Sequence, residues 1–186
     1  MEVDLPTLTT ARLELRAARE SDAAPYFAFD QRCAVVPEAV RFLLHPLSKN
    51  VDEVRVRLAR GGGPFSPERT VFCWLVREKG RDDVVGYVAF VRWDHEASCT
   101  EVAYGVDPAW WGKGYSVEAC ARMLDFAWEN LALHRAEARI DPNNTASIRA
   151  AEKLGFALEG TLRENVFSGG RYFDTAIYAK LRPRPA

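Results

Sequence analysis

Two hydrophobic periods divide the chain, and the switches between them mark its elements. ARLELRAA, residues 11–18, sets Leu13 and Leu15 between charged neighbours as a half-buried strand does, and RESDAAPYFAFDQR then opens a helix with Ser21 and Asp22 as cap candidates. VDEVRVRLAR carries Val51, Val54 and Leu58 at helical spacing and stops at the loop GGGPFSPE. TVFCWLVRE and DVVGYVAFVRW read as apolar strands joined through KGRDD, an antiparallel hairpin. The next strand, CTEVAYGV, ends at Asp107 and Pro108. Its Val102, Tyr104 and Val106 share one face, while Glu101, with the small Ala103 and Gly105, takes the other, a candidate cavity wall.

From residue 115 to 131 the period is helical, with Val117, Ala121, Leu124 and Trp128 as the apolar stripe. RAEARI is a further strand, NTASIRAAEKLGF a capped helix ending at Gly155, and ALEGTLRENVF with YFDTAIYAKL a final hairpin turning at SGG. No repeat or second domain interrupts this order, and the tail RPRPA is expected to fray.

At 186 residues and 48% hydrophobic the chain can build one substantial core, so residues 1–186 are expected to form a single domain of mixed secondary structure. The formal net charge of -1 gives no overall attraction to nucleic acid or to an anionic membrane. Cys33, Cys73, Cys99 and Cys120 have neither zinc-site spacing nor the density of a disulfide scaffold, which predicts reduced thiols. With no leader-like segment and no run of 18 apolar residues, the expectation is a cytoplasmic protein.

The stretch WWGKGYS stands at the entrance of the long helix. Gly112 and Gly114 let the backbone approach a bound group, the first helical amides lack internal partners, and Lys113 adds positive charge, so the turn suits an anion. It matches neither GxxxxGK[ST] nor GxGxxG, which leaves the anion unidentified, and a plain structural turn is the alternative. Asn144 and Ser147, three residues apart at a helix start, either face one opening together or serve local capping. His45 and His95 have no partners at metal or triad spacing, which predicts a metal-free protein. Phe90, Trp93, Trp110 and Trp111 either line a groove or pack the core.

WWGKGYSVEACARML, then LHRAEARIDPNNTASIRAAEKLGFALEGTLRE and GGRYFDTAIYAKL, together with the opening TLTTARLELRAARESDA, resemble the GCN5-related N-acetyltransferase superfamily, in particular its ribosomal-protein alanine and serine N-acetyltransferase branch. The resemblance covers most of the chain and is strongest over residues 107–181. It implies an α/β fold of the α+β kind, with a mixed, mostly antiparallel twisted sheet flanked by helices. It further implies acetyl-coenzyme A held in a gap between central strands, its pyrophosphate on Trp111, Gly112, Lys113, Gly114, Tyr115 and Ser116. The superfamily favours Arg or Gln where Trp111 stands and Gly or Ala where Ser116 stands.

Acetyl transfer to an amine calls for a base, an oxyanion donor and an acid. Glu101 is the base candidate, and an ordinary solvated strand carboxylate is its alternative. The resemblance implies that Asn144 contacts the pantetheine and Ser147 the sulfur, with Ser147 as the acid, since no tyrosine lies in SIRAAEKLGF. The backbone amide of Val102 or Tyr104 is the candidate oxyanion donor, given a strand irregularity that exposes it. His134 and Asp174 also fit the family pattern, in packing and in organising the last hairpin or bordering the acceptor; Arg163 and Glu164 are secondary candidates. The expected function is direct transfer from acetyl-coenzyme A to a primary amine, a protein or peptide amino terminus or a small molecule such as an antibiotic. A noncatalytic acyl-coenzyme A-binding regulatory module is the alternative. A homodimer would form through an exposed sheet edge or a helical face.

Overall fold

A computed structural model describes residues 3–42, 47–168 and 170–183. Eight strands form one sheet in the order β1-β2-β3-β4-β5-β6-β8-β7. They are β1 (Leu8–Thr9), β2 (Leu13–Ala17), β3 (Phe72–Glu78), β4 (Gly86–Asp94), β5 (Cys99–Val106), β6 (Arg135–Ile140), β7 (Ala157–Ser168) and β8 (Arg171–Leu181). Every neighbouring pair is antiparallel except β5 and β6, which run parallel. The fold class expected from the resemblance is thus the one observed, and CTEVAYGV is a strand over its full predicted length.

Helices α1 (Ala23–Ala34), α2 (Pro37–Arg41), α3 (Val51–Gly61), α4 (Tyr115–Asn130) and α5 (Thr145–Lys153) complete the architecture. Two apolar clusters occupy the two sheet faces. Met123, Leu124, Ala127, Leu154 and Phe156, from α4 and the segment through the end of α5, pack with Trp74, Val88, Phe90 and Val102. Tyr26, Phe29, Val54 and Leu58 of α1 and α3 pack with Leu75, Tyr87, Ala89 and Ala103. Strand alternation divides β5 between the clusters, Val102 facing one and Ala103 the other. Each fully buried Leu, Met or Phe contributes about 1.5–3 kcal/mol. None of the helices described is long and apolar enough to cross a membrane.

Two expectations are corrected. Helix α1 begins at Ala23, after one turn of 3-10 helix at Glu20–Asp22, and Asp22 makes no side-chain cap on it. Its buried carboxylate instead accepts from the Arg19 amide and pairs with the guanidiniums of Arg16 and Arg77, charged donors that outcompete a neutral helical amide. The buried face of α4 is broader than the stripe read from the sequence: it includes Ala119, Cys120, Met123 and Ala127, with Val117 and Ala121 only half-buried. The reason is that α4 touches α5 as well as the sheet, so small residues as well as large ones are covered. Strands β1 and helix α2 went unread, being only two and five residues long. His45, the middle of SGG and the end of the tail lie outside the described residues.

Candidate active site

The parallel pair β5–β6 stays in register for only three positions, ending at Glu101 opposite Glu137. The Asp107 amide donates to the Val85 carbonyl, so alternation turns the amides of Gly105, Ala103 and Glu101 toward β4 and those of Val102, Tyr104 and Val106 toward β6. Beyond Glu101 the strands diverge, and the Tyr104 and Val106 peptide groups face a splayed gap. The divergence frees the amide of Tyr104, one of the two candidate oxyanion donors, while that of Val102 still faces the paired end of β6 at Glu137. The irregularity of the region lies on the neighbouring strand, between Val91 and Asp94 of β4.

That β4 bulge has its own consequence. Val91 pairs with Glu101 and shares its face; in regular pleat the next residue would point to the opposite face. Arg92, at φ 53°, departs from the pleat, and its guanidinium donates to Glu101 Oε2 at 2.8 Å. The Glu101 side chain is 8% exposed, that of Arg92 72%. Glu101 is therefore no solvated strand carboxylate. Burial pushes its pKa up, the nearby Arg92 and Arg139 charges oppose this, and Glu137 adds to it. Glu101 and Ala103 wall a cavity of about 310 Å³ on the α1/α3 side, bounded by Tyr26, Leu58, Tyr87 and Arg92. The polar and small face read from CTEVAYGV does border a cavity.

On the other side of the sheet, Tyr104 reaches α5, its hydroxyl donating to the Ser147 carbonyl at 3.4 Å, and burial pushes the phenol up to about 12. Asn144 is the N-cap of α5 and accepts from the Ser147 amide at 3.1 Å, so the capping role is realised. Asn144 and Ser147 are both half-buried. Val102 is buried among the residues under α4. The predicted base and the predicted acid thus lie toward opposite faces of the sheet, with the gap between them.

The turn before α4 crosses from the end of β5. Asp107 caps its first bend by accepting from the Ala109 amide at 3.0 Å and is held by Arg32 of α1. The Trp111 indole donates to the Val106 carbonyl at 2.8 Å, along the free edge of β5. Gly112 and Gly114 have φ of 76° and 75°, a region costly to side-chain-bearing residues. Gly114 is the N-cap of α4 and offers no side-chain acceptor, so the first amides, from Tyr115 and Ser116 onward, remain available. Glu118 would oppose an anion there, but Thr10 and Arg12 engage its carboxylate, and its pKa is lowered by those bonds against its partial burial. Lys113 Nζ lies 4.0 Å from the Trp110 ring centre, and the Arg81 guanidinium 5.3 Å from it. Tyr115 contributes its backbone at the turn but not its side chain, which is buried, stacks on Trp110 and donates to Glu78. These residues fit a group bearing phosphates: donors converge at an uncapped helix start, and added cations stand beside it.

Other candidates resolve into structural roles. Phe90 and Trp93 are buried and pack edge-on to each other. His95 Nε2 lies 2.7 Å from the Arg69 carbonyl and its ring packs on Phe65. The His134 amide donates to the Ser98 carbonyl. Asp174 Oδ1 accepts from the amide of Glu164, which has φ 49°, so Asp174 does organise the last hairpin. Arg163 is exposed. The sequence reading missed Arg92, Tyr26 and Tyr87. A bulge leaves no mark on hydrophobic alternation, and aromatics facing a cavity, from a helix at Tyr26 and a strand at Tyr87, look like core.

The profile of the acetyltransferase (GNAT) domain family matches residues 12–157. The chain is 29% identical over 180 residues to the uncharacterized N-acetyltransferase p20 of Bacillus licheniformis, spanning 96% of this chain and 97% of that one. Among solved structures it resembles the microcin C7 self-immunity acetyltransferase MccE in complex with acetyl-CoA and AMP, with a TM-score of 0.84 at 17% identity over 95% of this chain and 97% of that one. It also resembles RimL, a ribosomal L7/L12 alpha-N-protein acetyltransferase in complex with coenzyme A, with a TM-score of 0.81 at 19% identity over 95% and 98% of the two chains.

Proposed function

Because the chain belongs to the GNAT acetyltransferase family, we propose that it transfers an acetyl group from acetyl-coenzyme A to a primary amine by direct attack within a ternary complex. The observation that carries this reading is the gap between β5 and β6, with an uncapped helix start at one end and a buried carboxylate at its apex. The bound cosubstrate supplies an acetyl group activated as a thioester.

Each part of the chain then has a task. The amides of Gly112, Lys113, Gly114, Tyr115 and Ser116 hold the pyrophosphate, with Trp111 closing the edge of β5 and Asn144 meeting the pantetheine. The free edge of β5 aligns the pantetheine as an added strand would, and the Tyr104 amide polarises the acetyl carbonyl. Glu101 receives the proton that the amine nitrogen loses as the carbon–nitrogen bond forms, directly or through one water. Ser147 donates to the sulfur as the carbon–sulfur bond breaks. Since base and acid lie toward opposite faces, the acceptor enters from the α1/α3 side while the cosubstrate occupies the gap. No cysteine is needed as an acyl carrier, and burial pushes the Cys73 thiol beside the cavity up to about 12, away from the reactive thiolate.

The acceptor we favour is a protein or peptide amino terminus. Calorimetric titration with acetyl-coenzyme A, coenzyme A and dephospho-coenzyme A, followed by thiol release over peptides and small amines, tests the reading. Stoichiometric binding and amine-dependent thiol release are expected. Binding without turnover on any amine would favour a regulatory acyl-coenzyme A-binding module, and no binding by folded protein would remove the cofactor site altogether.

A further inference from the structure

Outside the apex of the gap, a second concavity of about 530 Å³ lies between α2 and the last hairpin. It is lined by Arg41 from α2, Pro142 and Asn143 from the turn after β6, and Arg171, Tyr172, Phe173 and Asp174 of β8. Two guanidiniums from separate elements border it. Arg171 lies 4.4 Å over the Phe173 ring and Arg41 4.9 Å over Phe42, contacts that seat a planar cation while leaving its N–H donors free. Neither forms an ion pair among the described residues, whereas Arg12, Arg16, Arg32 and Arg77 each do. Asp174, the acidic residue of the groove, already has one carboxylate oxygen on the Glu164 amide.

Strand β6 connects this groove to Glu101. Glu137 pairs with Glu101, and Arg139, two residues on, lies on the same sheet face and close enough for its charge to act on Glu101. Arg139 also enters no ion pair among the described residues, while Glu137 pairs with Arg135, a guanidinium it shares with Glu159. At about 3.3 Å per residue, Arg139 stands roughly 7 Å and Pro142 roughly 16 Å beyond the Glu101 level. An extended chain with its amino group at Glu101 covers that distance in about five residues. Along this path and in the groove, Arg139, Arg171 and Arg41 stand against Asp141 and Asp174, which accept only from amide groups and enter no ion pair among the described residues, so three guanidiniums face two carboxylates.

Resting on the acetyltransferase reading above, we propose that the acceptor is an acidic peptide amino terminus, its first residue at the Glu101 cavity and its following carboxylates on Arg139, Arg171 and Arg41. A polycationic amine would meet repulsion along the same path, and a free amino acid would end before the groove.

The test uses octapeptides identical except for Glu, Gln or Lys at positions three to six, with free glutamate as the small anionic amine. Wild type, Arg41→Glu and Arg171→Glu are compared by thiol release, and the affinity of each variant for acetyl-coenzyme A confirms that it is folded. Expected is a kcat/KM at least tenfold higher for the Glu than the Gln peptide, carried by KM and weakened by salt, with the order of Glu and Lys peptides reversed in the variants. Equal use of Glu and Gln peptides, a preference that survives both substitutions, or free glutamate serving as well as the Glu peptide would overturn the proposal. Anisotropy of carboxy-terminally labelled Glu and Gln peptides, with coenzyme A present, reads the same preference without turnover. Failure of the charge preference with thiol release intact sinks only the acidic acceptor; absent thiol release with every amine sinks the acetyltransferase reading itself.

Discussion

Replacing Glu101 with Gln separates chemistry from stability in a way the structure makes quantitative. The substitution keeps shape and removes charge. What it loses in stability is the attraction to Arg92, whose side chain is 72% exposed and so well solvated and screened, a contribution of about 0–1 kcal/mol. What it gains is release from holding an 8%-exposed carboxylate away from water, a penalty of order several kcal/mol for a buried ion before compensation. The pKa agrees in sign: it is raised in the folded protein, so this group's stabilisation is complete below the unfolded-state value and is lost as pH rises through the folded one. At neutral pH Glu101→Gln is therefore expected to leave stability unchanged or increased. If Glu101 takes the proton, kcat falls by about 10²–10⁴-fold, or roughly 2.7–5.5 kcal/mol of barrier. The acid limb of kcat/KM, displaced above the ordinary glutamate range in wild type, disappears in the variant. Thiol release from pH 5 to 9 and urea denaturation read the two effects. A variant within threefold of wild-type kcat would refute the base assignment, and a clearly destabilised one would refute the reading of Glu101 as a carboxylate whose burial costs more than its ion pair returns.

Other substitutions probe the remaining parts. Gly114→Ala forces a side chain into φ 75°, costing about 1–2 kcal/mol locally, and is expected to weaken acetyl-coenzyme A binding in calorimetry more than it lowers kcat at saturation. Asn144→Ala removes the α5 cap and should cost about 0.5–2 kcal/mol in urea denaturation, while Ser147→Ala keeps the helix and lowers kcat by up to ~100-fold if the hydroxyl serves the sulfur. Gly105→Ala would place a Cβ 2.6 Å from the Tyr87 ring, so a loss of about 1–3 kcal/mol and a raised acceptor KM are expected, with acetyl-coenzyme A affinity retained.

Much of this organisation was legible because local rules agreed with the tertiary outcome. The alternation of CTEVAYGV placed Glu101, Ala103 and Gly105 on one face, and that face does wall a cavity. The glycines before α4 have the positive φ of a tight turn that only glycine enters freely. The misreadings arose where one segment answers to distant partners. Asp22 serves two guanidiniums rather than a helix start, and Arg92 meets Glu101 only through a bulge. Nor does β7 follow the alternation rule, since all 12 of its residues are exposed at the end of the sheet. The concavity between α2 and the last hairpin joins residues some 130 positions apart, which no spacing reveals.

The short register of β5 against β6 makes the sheet two half-sheets joined by three residues' worth of ladder. A ligand that bonds along the free edge of β5 is then a structural member as well as a reactant. Its binding energy couples directly to the cohesion of the fold, adding RT ln(1 + [L]/Kd), about 2.7 kcal/mol at a hundredfold excess over Kd. Pantetheine bonded along that edge would complete the sheet beside the amine pocket, which predicts loading of the acetyl donor before the amine. The spent carrier, having the same backbone contacts, should likewise leave last.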